Sequence, residues 1–94
     1  MGDSLKVQRQ LTDRQGKILS ANAAFSTLTG YALEEVLGQT SRFLKSGVHD
    51  EAFYRQLWQT VHAGRIWRGE IINRRKDGTL YQEEMIVTPV RAAN

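Results

Sequence analysis

The stretch IWRGEIINRRKDGTLYQEEMIVTPV, residues 66–90, decides the fold. Two runs rich in β-branched and aromatic residues flank Lys76-Asp77-Gly78, and an Asp-Gly pair between such runs is a strong signal for a tight turn. The stretch therefore predicts a long hairpin whose antiparallel strands cover residues 66–75 and 79–90.

The two strands carry polar side chains on the face that should be apolar. Alternate residues of a strand point to opposite faces, so Trp67, Ile71 and Asn73 share one face. Tyr81 and Glu83 share one face of the second strand in the same way. If Trp67 and Ile71 face the core, Asn73 faces it too, and we expect it to lie near Glu83 or Tyr81.

Signals for helix ends and for two further strands precede the hairpin. Asn22 and Asp50 are suited to cap helices, and Gly30 and Gly64 are suited to end them. The elements predicted in chain order are strands at 5–12 and 17–20, helical segments starting after Asn22, at 32–38 and within 38–47, and a long helix from Asp50 to about His62. We expect an α+β fold with an antiparallel sheet and its helices on one face.

The long helix carries two apolar rows with a spacing of four residues. Phe53-Leu57-Val61 form one row and Tyr54-Trp58-His62 the other. Two adjacent rows make a wide apolar face, which predicts that this helix packs over the sheet.

Size and composition restrict the class of protein. The 94 residues suit one domain, with 40% hydrophobic and 24% charged residues, as is ordinary for a globular protein in water. No apolar run approaches the roughly 20 residues that span a bilayer, and MGDSLKVQ lacks the hydrophobic stretch of a signal peptide. The absence of cysteine excludes disulfides and thiol nucleophiles. We expect a cytoplasmic protein without a membrane partner.

The charge pattern does not favour nucleic-acid binding. The formal net charge is +3, from 13 basic and 10 acidic residues that are scattered along the chain. The densest basic run, Arg74-Arg75-Lys76, leads directly into Asp77-Gly78 and reads as a solvated turn. Surfaces that follow a phosphate backbone usually need many more clustered cations, so we expect no nucleic-acid partner.

No catalytic or metal-binding constellation is evident. Glu83 and Glu84 are neighbours on a strand and point to opposite faces, so they cannot work as an acid and base on one substrate. His49 and His62 do not have the spacing of a metal site. We expect neither an enzyme nor a metal centre.

Three stretches, 11–38, 46–64 and 67–90, resemble a PAS domain of the sensory-box type. The resemblance implies a five-stranded antiparallel sheet with helices around one face and, in many members, a ligand pocket between them. It also implies a sensor module of kinases, two-component systems and transcription regulators, which relays its state to an effector domain. The alternative is a ligand-free PAS domain that serves dimerisation and protein contact.

Residues 38–45, GQTSRFLK, are similar to the helix that carries the reactive cysteine in the light-oxygen-voltage (LOV) branch of this family. Ser41 stands in place of that cysteine, so the resemblance implies that no covalent flavin adduct forms. Arg42 matches the arginine that meets the flavin phosphate. Asn73 matches the first of two flavin-binding asparagines, and Glu83 stands where the second would be.

The chain also resembles the PAS domains of nitrogen-fixation regulatory flavoproteins, which hold FAD non-covalently. The motif NRRKDGTLY is very similar, and their flavin-linked tryptophan and asparagine correspond to Trp58 and Asn73. Two further flavin-linked positions, a serine and a glutamate, are occupied here by Gln10 and Ser41. The resemblance implies non-covalent FAD or FMN.

Each candidate site residue also has a structural interpretation. Asn73 can bond nearby backbone at a strand end, Trp58 can belong to the core, and Arg42 can form a surface ion pair. Ser41 can cap or solvate its short helix. Haem-binding PAS domains place a histidine on the long helix, but His62 also suits the negative end of the helix dipole.

The chain offers four strands where the family has five. We expect one PAS domain over residues 1–94, incomplete at its C-terminal end, with the effector domain elsewhere in the parent protein. In the family the fifth strand lies between the first and the fourth, and its absence would leave backbone groups on both unpaired. We therefore predict that the strand at 5–12 fills this central slot, within its own subunit or swapped into a partner to give a homodimer.

Overall fold

A computed structural model describes residues 7–90 of the chain. Its sheet contains four strands: β1 (Val7–Thr12), β2 (Ile18–Ala21), β3 (Trp67–Arg74) and β4 (Leu80–Pro89). The order across the sheet is β2-β1-β4-β3. All four strands lie where the sequence predicts them, although residues 5 and 6 of the first predicted strand lie outside the described residues.

Three α-helices and one 3₁₀ helix separate β2 from β3: α1 (Ala23–Thr29), α2 (Leu33–Val36), the 3₁₀ helix (Ser41–Leu44) and α3 (Glu51–His62). The predicted caps are confirmed, because the side chains of Asn22 and Asp50 accept hydrogen bonds from the first turns of α1 and α3. Within residues 7–90 no helix has the length and apolar character needed to cross a membrane.

The sheet is mixed, which corrects the expectation of an antiparallel sheet. β3 pairs with β4 and β1 pairs with β2 in antiparallel fashion, but β1 and β4 are parallel, with Val7 opposite Glu84 and Thr12 opposite Pro89. Two strands that both run antiparallel to a strand between them are parallel to each other. In the described sheet no strand lies between β1 and β4, so these two strands pair with each other directly and in parallel.

β1 takes two roles in this sheet. It keeps β2 as a neighbour, as a first strand does, and it also pairs with β4 along its whole length. The predicted pairing of this strand with β4 within one subunit is thus confirmed, but the strand does not leave the first-strand position beside β2 to make it. No second copy of the chain is needed to pair β1 with β4, and the homodimer stays a prediction.

The core consists of two clusters on the helical side of the sheet. One lies beneath α3 and contains Tyr54, Leu57, Val61, Trp67, Ile71, Met85 and Val87. The other joins β2 to the shorter helices and contains Ile18, Phe25, Val36 and Leu44. The apolar face predicted for α3 is wider than the face that the structure buries, because Phe53 and Trp58 are only partly buried and His62 is exposed.

The basic turn between β3 and β4 is not merely solvated. The Arg75 Nε atom donates to the Leu28 carbonyl at 3.0 Å, and the Lys76 Nζ atom lies 2.7 Å from the Glu35 carboxylate. The Lys76 backbone N–H also donates to the Thr29 carbonyl at 2.8 Å. These bonds tie the hairpin tip to α1 and α2.

The turn before β2 leaves space for Trp58. Gly16 has a φ of +85°, and a Cβ atom added there would lie well inside contact distance of the Trp58 ring. Gly38 has a similar φ of +82° but faces open space. Gly16 therefore has a packing role that Gly38 lacks.

We predict that Gly16→Ala destabilises the protein more than Gly38→Ala. Both variants place alanine at positive φ, which costs about 1–2 kcal/mol. Only Gly16→Ala must also displace the indole, and overpacking of this kind costs about 1–3 kcal/mol more. Urea denaturation of both variants measures the difference in free energy of unfolding, and equal losses would show that Trp58 does not need this space.

Candidate functional site

A row of polar side chains crosses the inner face of the sheet. Gln10 and Gln8 on β1, Glu83 on β4 and Asn73 on β3 all point toward the helices and are at most 3% exposed. Gln10 Nε2 donates to Gln8 Oε1, Gln8 Nε2 donates to Glu83 Oε2 at 2.7 Å, and Asn73 Nδ2 donates to the same oxygen at 2.6 Å. The predicted neighbourhood of Asn73 and Glu83 is confirmed.

Glu83 is the centre of this polar row. Its Oε2 atom accepts both amide hydrogen bonds, whereas its Oε1 atom is buried and has no hydrogen bond of normal geometry. The Tyr81 hydroxyl lies close enough to the carboxyl group to lower its pKa. Burial raises the pKa of the Glu83 carboxyl, and the hydrogen bond from Asn73 opposes this shift most strongly. Within residues 7–90 Glu83 makes no ion pair.

A small cavity lies beside the polar row, between the 3₁₀ helix, α3 and the hairpin. It has room for about one water molecule, and Ser41, Arg42, Trp58 and Asn73 are among the residues that line it. Four of the five candidate residues from the sequence thus meet at one place. Glu83 does not line the cavity and reaches it through its bond to Asn73.

The cavity wall combines aromatic surface with exposed positive charge. The Arg42 guanidinium lies 5.6 Å from the centre of the Trp58 ring, at a distance that permits a cation–π contact. The Lys45 ammonium lies 4.5 Å from the centre of the Tyr54 ring. Within the described residues Arg42 forms no ion pair, so the structural interpretation of this side chain finds no support.

Two contributors to the site were not predicted from the sequence. Gln8 was not proposed, although its alternation with the exposed Arg9 places it on the inner face of β1. Met85 was not proposed either, and its sulfur lies 3.8 Å from Gln10 Nε2 and 3.9 Å from Asn73 Nδ2. A thioether is a weak acceptor, so Met85 covers these amides without satisfying them well.

The two histidines have separate environments. His49 Nε2 accepts a hydrogen bond from the Ile72 backbone N–H at 2.9 Å, and its ring stacks on Phe53 with 4.0 Å between centroids. His62 lies beside Trp58, at 6.2 Å between ring centroids. Within residues 7–90 no three His, Cys, Asp or Glu side chains are grouped so that they could hold a metal ion.

Comparisons with known proteins agree on one family. The family model described as the PAS fold matches residues 10–94. The nitrogen fixation regulatory protein of Klebsiella oxytoca is 40% identical over 90 residues, which are 96% of this chain and 18% of that protein. The chain therefore spans about a fifth of this relative's length.

Solved structures of LOV domains have the same architecture. An RNA-binding LOV receptor matches with a TM-score of 0.70 and 34% identity, over 84% of this chain and 22% of that one. The light-state structure of the LOV domain of Aureochrome1, a blue-light photoreceptor, matches with a TM-score of 0.68 and 30% identity. The match covers 82% of this chain and 60% of that one. Because one of these neighbours binds RNA, the expected absence of a nucleic-acid partner stays a prediction.

We predict that Gln8→Ala lowers the free energy of unfolding by about 1–3 kcal/mol, because it removes a donor to a buried carboxyl group. Arg9→Ala is the matched control, since Arg9 is the next residue of β1 and faces outward. Its effect should stay within about 0.5 kcal/mol. Thermal or urea denaturation measures the free energy of unfolding of both variants. Equal losses would mean that the hydrogen bonds of the polar row do not stabilise the protein.

Proposed function

Because this chain belongs to the PAS fold family, we propose that it is a sensory domain that binds a flavin non-covalently and relays the state of the flavin to an effector domain of its parent protein. The observation that carries the proposal is the buried polar row beside the cavity. A core that served packing alone would gain nothing from an unpartnered carboxyl oxygen, because unsatisfied buried polar groups are costly.

The side chains at the cavity fit the chemistry of a flavin. The amide of Asn73 offers donors and an acceptor at the inner end, where the edge of a ring system would lie. Trp58 offers aromatic surface, and the exposed Arg42 guanidinium suits a phosphate group at the mouth. A bound flavin supplies reversible redox chemistry, while these residues bind it, orient it and exclude water.

The cavity must widen before a flavin can enter. It has room for about one water molecule, far less than the roughly 300–1,000 Å³ of typical ligand pockets. Met85 is the side chain best suited to move, because it is flexible and its sulfur now covers the amides of Gln10 and Asn73. A ligand that displaced Met85 would give both amides stronger acceptors.

The ligand-free alternative receives less support. A module that served only dimerisation and protein contact would not need the polar row or the unpartnered oxygen of Glu83. We retain a homodimer as part of the proposal, since the outer face of the sheet exposes Leu11 and Leu19 by 43% and 49%. We also propose sensing without catalysis, because the acid beside the buried Glu83 carboxyl is the Tyr81 phenol, whose pKa burial raises well above its ordinary value.

We predict that purified protein quenches the fluorescence of added FAD or FMN, and that Asn73→Ala weakens this binding about tenfold through loss of a buried hydrogen-bonding group. Arg68→Ala is the control, because Arg68 lies on the opposite face of β3 and pairs with Glu84. Its affinity should stay within about twofold of the native value. Absence of quenching at high micromolar flavin would refute flavin binding.

We predict that illumination of the flavin-loaded protein produces no long-lived adduct. Ser41 lies buried at the cavity wall, but a hydroxyl is a far weaker nucleophile than a thiolate. Absorption spectra recorded after a light pulse test this, and flavin-loaded Ser41→Cys supplies the matched thiol. Persistent bleaching of the native sample would contradict our interpretation of Ser41.

A further inference from the structure

Residues 45–50, which join the 3₁₀ helix to α3, form a strap along one side of the cavity. We propose that this strap opens to let a ligand enter and leave, that His49 fastens it to β3 in the closed form, and that a proton on His49 releases it. Ligand exchange through the strap rests on the proposed function, whereas the contact of His49 with β3 is a property of the ligand-free protein.

The strap lies along the edge of the sheet. β3 is the last strand in the order β2-β1-β4-β3, so one of its edges has no neighbouring strand in the described sheet. Lys45 forms an isolated antiparallel bridge with Asn73 on this strand. His49 Nε2 accepts a hydrogen bond from the Ile72 backbone N–H at 2.9 Å. The strap is therefore fastened at two neighbouring positions of β3, and one of them, Asn73, carries its side chain into the polar row.

The strap and the 3₁₀ helix before it make one wall of the cavity. The residues that line the cavity from this side are Ser41, Arg42, Leu44 and Lys45. Movement of Met85 enlarges the space inside the cavity, but a ligand also needs a path from solvent. Lys45, Gly47 and Val48 of the strap are exposed, and segments with little buried surface open at a lower cost in free energy than the core. The strap is therefore the part of the wall best suited to admit a ligand.

The hydrogen bond between the strap and Ile72 needs a neutral imidazole. Because Nε2 is the acceptor, the proton of the neutral His49 ring is on Nδ1. A second proton would bind Nε2 and turn the acceptor into a donor that faces the Ile72 N–H. The stack of the ring on Phe53, with 4.0 Å between centroids, does not depend on the charge in this way. Protonation therefore removes the bond to the sheet and leaves the ring beside α3.

The acidic groups near the strap do not offset a positive charge on His49. Within residues 7–90 no carboxylate lies at ion-pair distance from the His49 ring. The adjacent Asp50 carboxylate caps α3 by accepting the Phe53 backbone N–H at 2.9 Å, and Glu51 in the first turn is exposed. Glu70 of β3 accepts from a glutamine on the outer face of the sheet. The positive end of the α3 dipole also lies at this place and disfavours a cation.

The other titratable groups around His49 are neutral or positive. Tyr54 of α3 meets the His49 ring edge-on, at 6.0 Å between centroids, and burial raises the pKa of this phenol, so it carries no charge where histidine titrates. The Lys45 ammonium lies 4.5 Å from the centre of the Tyr54 ring and adds a second positive charge on the strap. Arg74 of β3 is also a cation, and it is exposed.

A proton therefore favours the open strap. The open form takes the proton on Nε2 of His49 without losing a bond, whereas the closed form gives up its bond to Ile72. Acid must then shift the equilibrium toward the open form. Histidine ordinarily changes its charge between roughly pH 5 and 8, so we expect ligand exchange to be slow at the upper end of this range and faster at the lower end.

NMR spectra of the ligand-free protein test the contact of His49 with β3. In a pH series from about 8 to about 5, the Ile72 amide resonance should shift with the same midpoint as the His49 ring resonances. In His49→Gln, whose amide oxygen can accept the same bond but takes up no proton, the Ile72 resonance should stay fixed. His62→Gln is the matched control, because His62 is an exposed histidine at the end of α3, and it should follow the native profile. A native Ile72 resonance that stays fixed across the series would overturn the inference.

Release of riboflavin, which has no ionisable phosphate, tests the opening of the strap. Recovery of fluorescence after dilution should be about fivefold faster for native protein at the acid end of the series than at the alkaline end, the factor that corresponds to one hydrogen bond. His62→Gln should behave as native, and His49→Gln should release at rates that differ less than about twofold between the two ends. Equal native rates, or the same acceleration in His49→Gln, would overturn the inference.

The two measurements separate this inference from the proposed function. If riboflavin, FMN and FAD all fail to bind at any pH, the proposed function fails and ligand exchange through the strap fails with it, while the Ile72 resonance still decides whether His49 fastens the strap. If flavin binds but neither the Ile72 resonance nor the release rate depends on a proton at His49, only the inference about the strap fails.

Discussion

The hydrogen bonds to one oxygen of Glu83 join three strands of the sheet. Gln8 reaches it from β1 and Asn73 from β3, while Glu83 itself belongs to β4. The backbone ladder between β1 and β4 sets the register, with Val7 opposite Glu84, and this register brings Gln8 and Glu83 together. The polar row therefore depends on the parallel pairing of two strands that lie far apart in the sequence.

A buried polar row of this kind does not maximise the stability of the fold. A buried carboxyl group loses its hydration, and replacing buried polar groups by apolar residues of similar volume often stabilises a protein. The rest of the inner face is built of Trp67, Ile71, Val87 and similar residues, so the chain has the means to form an apolar core. We infer that the row is retained for a ligand, and that the small cavity beside it is the contracted form of a binding site.

Much of the hairpin could be predicted from sequence, because its determinants are local. The Asp-Gly turn fixes the register of two adjacent strands, and strand alternation then places Asn73 beside Glu83. The hydrogen bond from Gln8 to Glu83 could not be predicted from local patterns, because the two residues lie 75 positions apart in the sequence. The parallel direction of that pairing and the exposure of His62 depend on how whole elements pack, which local patterns do not determine. The size of the cavity depends in the same way on where the flexible Met85 side chain lies.

If the polar row serves a ligand and not the fold, the protein should fold without it. Urea denaturation of the quadruple variant Gln8→Met, Gln10→Met, Asn73→Leu, Glu83→Met, with and without FAD, tests whether this is so. We expect that without FAD the variant is at least as stable as the native protein, and that FAD raises the midpoint of native unfolding but not that of the variant. A variant that is less stable without FAD, or that FAD still stabilises, would contradict it.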